Sequence, residues 1–282
     1  MPTNQNILIT GCSSGIGHCV AHGLKARGHR VIASCRKPED VQRLSDEGLE
    51  CIRLDLDDSA SIQEAVREAL DRCDGRIDAL FNNGAFGLAG AVEDLSRDAL
   101  RAQFETNVLG WLELTNLLLP VMRAQGHGRI IQNSSVLGFV ALPYRGAYVA
   151  SKFAIEGLSD TLRLELAGSG VDVSLIEPGP IESRFRENAE RAFRRWIRRE
   201  GSAHARAYDA MEARLKKKGH ATRFTLPPEA VLDKVIHALE SPRPRPRYYV
   251  TFPTYLFGTL KRVLSTRMTD RLLLRVSGGG AR

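Results

Sequence analysis

Residues 10–17 read TGCSSGIG, and they stand between a short apolar run and a segment with helical periodicity. A phosphate-binding turn requires this context, because the strand leads into the turn and the N-terminus of the following helix faces the anion. Gly11 permits the tight turn, Gly15 lets the backbone approach a pyrophosphate, and Gly17 allows the helix to pack closely on the sheet. An ordinary strand–helix turn without a ligand is the alternative, and the flanking segments favour the dinucleotide site.

Apolar runs and amphipathic stretches alternate along the rest of the chain. Strands are predicted at residues 6–10, 30–34, 50–54, 79–82, 129–132, 171–176 and 248–251. The alternation predicts an α/β protein with a Rossmann-type, doubly wound parallel sheet of about seven strands and helices on both faces. We expect a single domain over residues 1–282. Its parts are a mainly dinucleotide-binding half (1–133), a catalytic and substrate half (134–253) with an irregular lid (184–226), and a C-terminal amphipathic extension (254–282).

Composition narrows the class of protein and its partners. Hydrophobic and charged contents of 43% and 26% are typical of a soluble globular chain. The net charge of +7 suggests an anionic partner, but no nucleic-acid-binding module is evident, so we do not expect nucleic acid. The chain shows neither a signal-peptide pattern nor an apolar run of about 18 residues, and its five cysteines lack C-x-x-C spacing, which favours a cytoplasmic protein. His18 and His22 have no spaced third ligand, so we expect no metal.

The end of the second predicted strand is where dinucleotide folds meet the adenosine ribose. Arg36 and Lys37 stand there, and no acid occurs between residues 31 and 38. A basic pair can bind a 2′-phosphate, so NADP(H) is favoured, with NAD(H) possible. The alternative is a solvated basic turn.

Tyr148 and Lys152 are four residues apart, which puts them on one face of a helix. An ammonium beside a phenol is expected to lower the tyrosine pKa toward working pH, where the group could pass a proton both ways. Alone, so short a pattern is better explained as a helix-surface pair.

Four features in order make the pattern more specific: a G-x-x-x-G-x-G turn, Asn107, Ser135 thirteen positions before Tyr148, and Lys152. In these features the chain resembles the classical short-chain dehydrogenase/reductase family over about residues 6–251. The resemblance implies hydride transfer to or from a nicotinamide, with Tyr148 as the acid/base and Ser135 holding the substrate oxygen. It also implies that Lys152 binds the nicotinamide ribose, that Asn107 supports a proton relay through water, and that the protein is a homodimer or homotetramer formed through its long helices.

The resemblance also assigns the residues of the cofactor site. We expect no metal there. The cofactor-binding residues it implies are Gly11, Ser13, Ser14, Gly15, Ile16, Gly17, Arg36, Asp55, Asn82, Tyr148, Lys152, Pro178, Ile181 and Ser183. Two positions depart from the family pattern. The family's Asn-Asn-Ala-Gly reads Asn-Asn-Gly-Ala at residues 82–85, and Ser183 replaces a usual threonine whose hydrogen bond a serine can also make.

The predicted function is that of an NADP(H)-dependent oxidoreductase. It would interconvert a hydrophobic carbonyl compound (an aldehyde or ketone) and the corresponding alcohol by hydride transfer. Phe193, Trp196 and Ile197 share a helical face that could cover an apolar substrate, although ordinary packing onto the domain explains the spacing equally well. Phe139, Leu142 and Tyr144 would add apolar lining. The closest likeness is to hydroxysteroid, retinol and aldehyde-reducing members. The alternative is an NAD(P)-binding redox-sensing protein without significant turnover.

The stretch 255–276 is apolar with interspersed lysine and arginine. Such a pattern suits a helix on a membrane surface, but packing on its own domain or at a subunit interface is favoured over peripheral membrane contact.

Overall fold

A parallel sheet of seven strands forms the centre of the protein in the computed structural model, which describes residues 4–216, 219 and 222–277. Its strands are β1 (Asn6–Ile9), β2 (Arg30–Cys35), β3 (Glu50–Arg53), β4 (Ala79–Asn82), β5 (Gly128–Asn133), β6 (Val171–Glu177) and β7 (Arg247–Tyr249). The order across the sheet is β3-β2-β1-β4-β5-β6-β7. The chain therefore winds outward in one direction from β1 and then in the other from β4, and ligands of such sheets bind at this reversal, beyond the carboxyl ends of the strands. The predicted doubly wound α/β fold is confirmed.

Helices cover both faces of the sheet. They are α1 (Gly15–Ala26), α2 (Pro38–Asp46), α3 (Ser59–Arg72), α4 (Arg97–Phe104), α5 (Gly110–Gln125), α6 (Gly146–Glu165), α7 (Phe185–Trp196), α8 (Ala205–Lys216), α9 (Glu229–Glu240), α10 (Phe252–Val263) and α11 (Thr266–Val276). Successive residues of β1 point to opposite faces. Leu8 packs in the core cluster that includes Trp111, whereas Ile7 and Ile9 pack in the cluster that includes Val231. Burial on both sides explains why the strands read as continuous apolar runs.

The long helical tract before β5 is interrupted by a π turn, Glu105–Leu109, between α4 and α5. Asn107 lies in this turn. Gly110, the first residue of α5, approaches Leu56 so closely that an added Cβ would lie 2.1 Å from the Leu56 carbonyl oxygen. Only glycine allows this contact, which fixes where the helix resumes.

The lid segment, expected to be irregular, contains the two helices α7 and α8. They pack through Phe193 and Tyr208, whose rings lie 5.2 Å apart, and Ile197 joins the same buried cluster. The apolar stripe predicted at Phe193 and Ile197 therefore serves packing, because Phe193 of α7 and Ile197, the residue directly after it, are both buried in this cluster.

The C-terminal extension forms α10 and α11, which pack on the domain. Phe257 and Leu273 are buried in a small cluster with Val140, while Tyr255 and Val263 are exposed. Packing on the chain's own domain thus accounts for one face of these helices. Of the described helices, none has the length and apolar content needed to cross a bilayer.

Candidate active site

A cavity of about 410 Å³ opens beyond the carboxyl ends of the central strands. The predicted site residues that line it are Gly11, Ser13, Ser14, Ile16, Ser135, Tyr148, Lys152, Pro178, Ile181 and Ser183. Gly15 and Gly17 belong to the glycine turn and the start of α1 but do not line the cavity. The other predicted site residues, Arg36, Asp55, Asn82 and Asn107, lie outside the cavity lining. The structure thus brings most of the predicted site together from segments far apart in the chain.

The glycine turn has a backbone that other residues would not tolerate. Gly11 and Gly15 have φ values of +71° and +58°. A Cβ on Gly11 would lie 2.5 Å from the Gly84 Cα, and one on Gly17 would lie 2.4 Å from the Gly11 carbonyl oxygen. Ser14, at the N-cap of α1, makes no side-chain capping hydrogen bond. The first backbone N–H groups of α1 are therefore available to an anion, so the turn fits the pyrophosphate of a dinucleotide.

Asn83 holds this turn in place, a role that the sequence analysis missed. Its Nδ2 donates to the carbonyl oxygens of Thr10 (3.0 Å) and Gly11 (3.2 Å), and its Oδ1 accepts from Asn133 Nδ2 at 2.8 Å. Thr10 Oγ1 in turn accepts from the backbone N–H groups of Asn83 and Gly84, both at 2.8 Å. Asn83 therefore ties the loop after β4 and the end of β5 to the glycine turn.

Asn82, predicted to contact the cofactor, is fully buried and does not line the cavity. Its Nδ2 donates to Thr115 Oγ1 of α5 at 3.1 Å. Neighbouring residues at a strand end point in opposite directions, so only one of two adjacent asparagines can reach the cavity. In this chain Asn83 lines it.

Tyr148 and Lys152 lie one turn apart at the start of α6 and are 9% and 1% exposed. Lys152 Nζ donates to the Asn133 carbonyl oxygen at 2.7 Å. The ammonium also lies 4.3 Å from the centroid of the Trp111 ring and 5.7 Å from that of Tyr148. The lysine is thus held by the Asn133 carbonyl at the end of β5 and by the face of the Trp111 ring.

The electrostatics of the pair differ from the sequence-based expectation. Burial raises the pKa of Tyr148 to about 12, and a hydrogen bond with Ser135 opposes this only in part. Burial lowers the pKa of Lys152 to about 7, opposed by the charge of Glu156. The expected lowering of the tyrosine pKa is therefore wrong, because burial of the phenol outweighs the hydrogen bond with Ser135. The phenol is protonated at neutral pH and able to donate.

Ser135 and Asn107 approach α6 from different sides. Ser135 lies after β5 and its Oγ accepts from the Leu137 N–H at 3.1 Å. Asn107 is fully buried, and its side-chain amide bonds both backbone groups of Phe86 and donates to Ser151 Oγ at 3.2 Å. Asn107 therefore fixes the loop after β4 against α6, and its side chain does not reach the cavity.

An ionic network supports α6 from behind. Arg247 of β7 donates to Glu156 and to Glu177, the latter at 2.5 Å, and to Asp160 at 2.6 Å. Ser134 donates to the same Glu156. Burial, followed by the charge of Glu156, raises the pKa of Glu177 to about 8. Because Glu156 is one turn beyond Lys152, the network sets the charge around the candidate catalytic pair.

The basic residues that follow β2 lie at the surface. Arg36 follows β2 and is exposed, and Lys37 Nζ pairs with Glu39 at 3.3 Å. Asp55 receives a hydrogen bond from the Asp57 N–H at 3.3 Å. The charge of Arg36 acts to lower the pKa of Asp57, although burial raises it overall. Arg36 and the acids after β3 are therefore neighbours at this edge.

Residues 5–193 match the family model described as short chain dehydrogenase. The chain belongs to this family. It is 43% identical over 269 residues to a protein named uncharacterized oxidoreductase YbbO from Escherichia coli K12, with 95% of this chain and 94% of that protein covered. It is 34% identical over 257 residues to human 17-beta-hydroxysteroid dehydrogenase type 1, with coverage of 87% and 77%.

Structural comparison agrees with the sequence matches. A short-chain dehydrogenase from Streptomyces avermitilis is similar with a TM-score of 0.76 and 27% identity over the full length of both chains. The resemblance inferred from the glycine turn and the Tyr148/Lys152 pair is confirmed, and this short-chain dehydrogenase is an oxidoreductase by family.

Proposed function

We propose that the protein is an NADP(H)-dependent oxidoreductase that interconverts hydrophobic aldehydes or ketones and the corresponding alcohols by hydride transfer. The observation that carries the proposal is the meeting of Ser135, Tyr148 and Lys152 with the glycine turn in one cavity. A turn that can hold a pyrophosphate and a buried proton donor are the two parts that nicotinamide-dependent carbonyl reduction requires.

Each residue has a distinct role in this proposal. A cofactor held by the glycine turn would supply the hydride. The neutral Tyr148 phenol donates its proton to the carbonyl oxygen, and Ser135 donates a hydrogen bond to the same atom as negative charge develops there. Lys152, in its ammonium form, stabilises the phenolate that remains. Pro178, Ile181 and Ser183 line the same cavity and would hold the nicotinamide end of the cofactor.

The preference for NADP(H) is proposed from Arg36. Its side chain is exposed, and within the described part of the chain it forms no ion pair of its own, whereas Lys37 pairs with Glu39. An exposed guanidinium suits the 2′-phosphate of NADP(H). The neighbouring Asp57 would be less favourable to that phosphate than to a ribose hydroxyl, so the balance depends on Arg36.

An apolar substrate is proposed from the lining of the cavity. Leu137, Leu142 and Phe185 line it, and the Phe185 ring meets the Tyr148 ring edge-on at 5.3 Å. Phe185 is the first residue of α7, so the lid helix begins directly over the proton donor. The likeness to a hydroxysteroid dehydrogenase is consistent with a large apolar substrate.

We also propose a cytoplasmic homodimer or homotetramer. Leu109 and Leu117 of the π turn and α5 and Phe153 and Leu158 of α6 are between 37% and 46% exposed. Apolar residues exposed on the π turn and on the two long helices favour burial against a second copy. Light scattering on the purified chain is expected to give twice or four times the monomer mass, and a monomer would refute this part.

The test of the catalytic proposal is Tyr148→Phe. A panel of aliphatic aldehydes, aromatic aldehydes and ketosteroids is assayed with NADPH and with NADH. For the best substrate, we expect kcat/KM to fall by about 10²–10⁴-fold in Tyr148→Phe, with NADPH binding by fluorescence nearly unchanged. Tyr255→Phe, at an exposed tyrosine on α10, is the matched control. Retained turnover in Tyr148→Phe would refute the mechanism.

The same panel separates the proposal from its alternative. A redox-sensing protein would bind NADPH with the wild-type site and oxidise it with no member of the panel. The buried pair Tyr148 and Lys152 favours turnover, because sensing a dinucleotide does not need a buried ammonium beneath a phenol.

A further inference from the structure

Two histidines and a glutamate meet at the surface, where α1 lies beside the end of α2. His18 and His22 are one turn apart on α1, and Glu47 follows α2. Glu47 Oε2 lies 2.7 Å from His18 Nε2 and 3.0 Å from His22 Nε2. Among the described residues this is the one group of three or more histidine, cysteine or acidic side chains whose ligand atoms all lie within 4.8 Å of one another. The third ligand missing from the local sequence is supplied by the fold.

The carboxylate of Glu47 is held at its other oxygen. Arg43 Nη1 donates to Glu47 Oε1 at 2.7 Å. Arg43 is fixed in turn by bonds from Nη2 to the Ser13 carbonyl oxygen at 2.7 Å and to Asp40 Oδ1 at 3.1 Å. Such outer hydrogen bonds orient metal-binding carboxylates. Oε2 is therefore already directed at the two imidazoles, with little freedom left to lose on binding.

The donor set and its exposure suit a zinc ion. Two imidazoles and a carboxylate with a water in the fourth position form a common tetrahedral Zn²⁺ site. Bond lengths of about 2.0–2.1 Å require neighbouring ligand atoms about 3.3 Å apart. Oε2 already lies slightly closer than this to both nitrogens, whereas the ligand atoms as a set span up to 4.8 Å, so the two imidazoles must turn toward each other when the ion binds. The side chains of His18 and His22 are each 36% exposed and that of Glu47 is 31% exposed, so a hydrated ion can enter.

The charged side chains around Glu47 both oppose and favour the binding of a cation. The Arg43 guanidinium opposes a dication, but it contacts the far oxygen of Glu47, and Asp40 pairs with it. Lys25 donates to the Gly48 carbonyl oxygen, which directs its ammonium to the backbone after Glu47. The carboxylate therefore keeps one oxygen for the ion, at some cost in affinity relative to a site without basic neighbours.

We propose that His18, His22 and Glu47 bind one Zn²⁺ ion at the junction of α1 and α2, with water as the fourth ligand. None of the three lines the active-site cavity, so the role is structural: the ion cross-links the two helices that follow β1 and β2. An ion that binds the folded chain alone also stabilises it.

The test uses the full-length chain without a polyhistidine tag, stripped with EDTA, reduced and dialysed. ZnCl2 is titrated by calorimetry into the wild type, His18→Gln and His22→Gln. His127→Gln is the matched control, since His127 is a partly exposed histidine bonded to one carboxylate, Asp78, at 2.8 Å. We expect one ion per chain in the wild type and control. Loss of a direct ligand should weaken binding by at least the roughly 10–100-fold typical of outer-shell losses.

Thermal melting provides a second readout that also shows each variant is folded. Zn²⁺ should raise the melting temperature of the wild type and of His127→Gln, and leave that of His18→Gln and His22→Gln unchanged. Absence of stoichiometric binding to the wild type would overturn the proposal. Binding of equal strength in both histidine variants would also overturn it, because the ion would then belong to other ligands such as the free cysteines.

Discussion

Replacing Glu156 by glutamine should change the pH dependence of catalysis through Lys152. Burial lowers the pKa of Lys152 to about 7, and the Glu156 carboxylate is the group that opposes this. Charges one helical turn apart, at about 6 Å and an effective dielectric constant of about 20, interact by about 3 kcal/mol, which corresponds to about two pH units. Arg247 contacts the same carboxylate and cancels part of its field. We therefore expect Glu156→Gln to lower the pKa of Lys152 by about one pH unit.

The direction in which the pH profile moves depends on which protonation form of Lys152 is active. If the ammonium is required, activity is present below the pKa of Lys152 and is lost as pH rises through it, so the alkaline limb should move to lower pH in the variant. The assay is kcat/KM for the best aldehyde with NADPH from about pH 5 to pH 9. Asp160→Asn is the control, because Asp160 pairs with the same Arg247 but, unlike Glu156, does not raise the pKa of Lys152. An unmoved limb in Glu156→Gln, or an equal movement in Asp160→Asn, would refute the reasoning.

Three further outcomes can be tested. Arg36→Asp should weaken NADPH binding by about 10–100-fold, as the loss of a charge-assisted hydrogen bond of about 1.5–3 kcal/mol implies, and improve NADH binding; an unchanged NADPH/NADH ratio in fluorescence titrations would refute the cofactor preference. Gly11→Ala should destabilise the protein by about 2–5 kcal/mol through a left-handed backbone and crowding, whereas Gly75→Ala, with φ +75° and open space around it, should lose only about 1–2 kcal/mol in urea denaturation. Phe185→Ala should raise KM for long aldehydes by about tenfold through about 1.4 kcal/mol of lost apolar contact, with acetaldehyde as the short comparison; equal effects on both would argue against a lid over an apolar substrate.

Local patterns carried most of what could be predicted. The glycine turn, and Tyr148 and Lys152 on one helix face, depend on spacing along a few residues, and the sheet depends on the alternation of apolar runs. These features are encoded where they occur. Asn82 and Asn83 show the limit of this reasoning, because which of two adjacent asparagines faces the cavity depends on how β4 is oriented in the sheet.

Properties that depend on burial, or on residues distant in the chain, could not be predicted from local sequence patterns. Proximity of Lys152 to Tyr148 predicts a lower phenol pKa, but the depth at which both lie reverses the direction. Glu47 completes a set with His18 and His22 only because the fold brings the end of α2 to α1. In the lid, the spacing of Phe193 and Trp196 indicated a helical face, but α8 was missed, because its apolar residues gain their meaning only when buried against α7.

The bonds of Arg247 imply an order in which the protein can be completed during synthesis. Arg247 belongs to the last described strand, yet it donates to Glu156 of α6 and to Glu177, whose side chains are 9% or less exposed. A nascent chain that ends before β7 would have to bury the Glu156 carboxylate without its cation, which is strongly unfavourable. The active-site helix can therefore settle only after the ribosome has released nearly the whole chain, and a chain truncated before Arg247 should be a target for proteolysis rather than a slower enzyme.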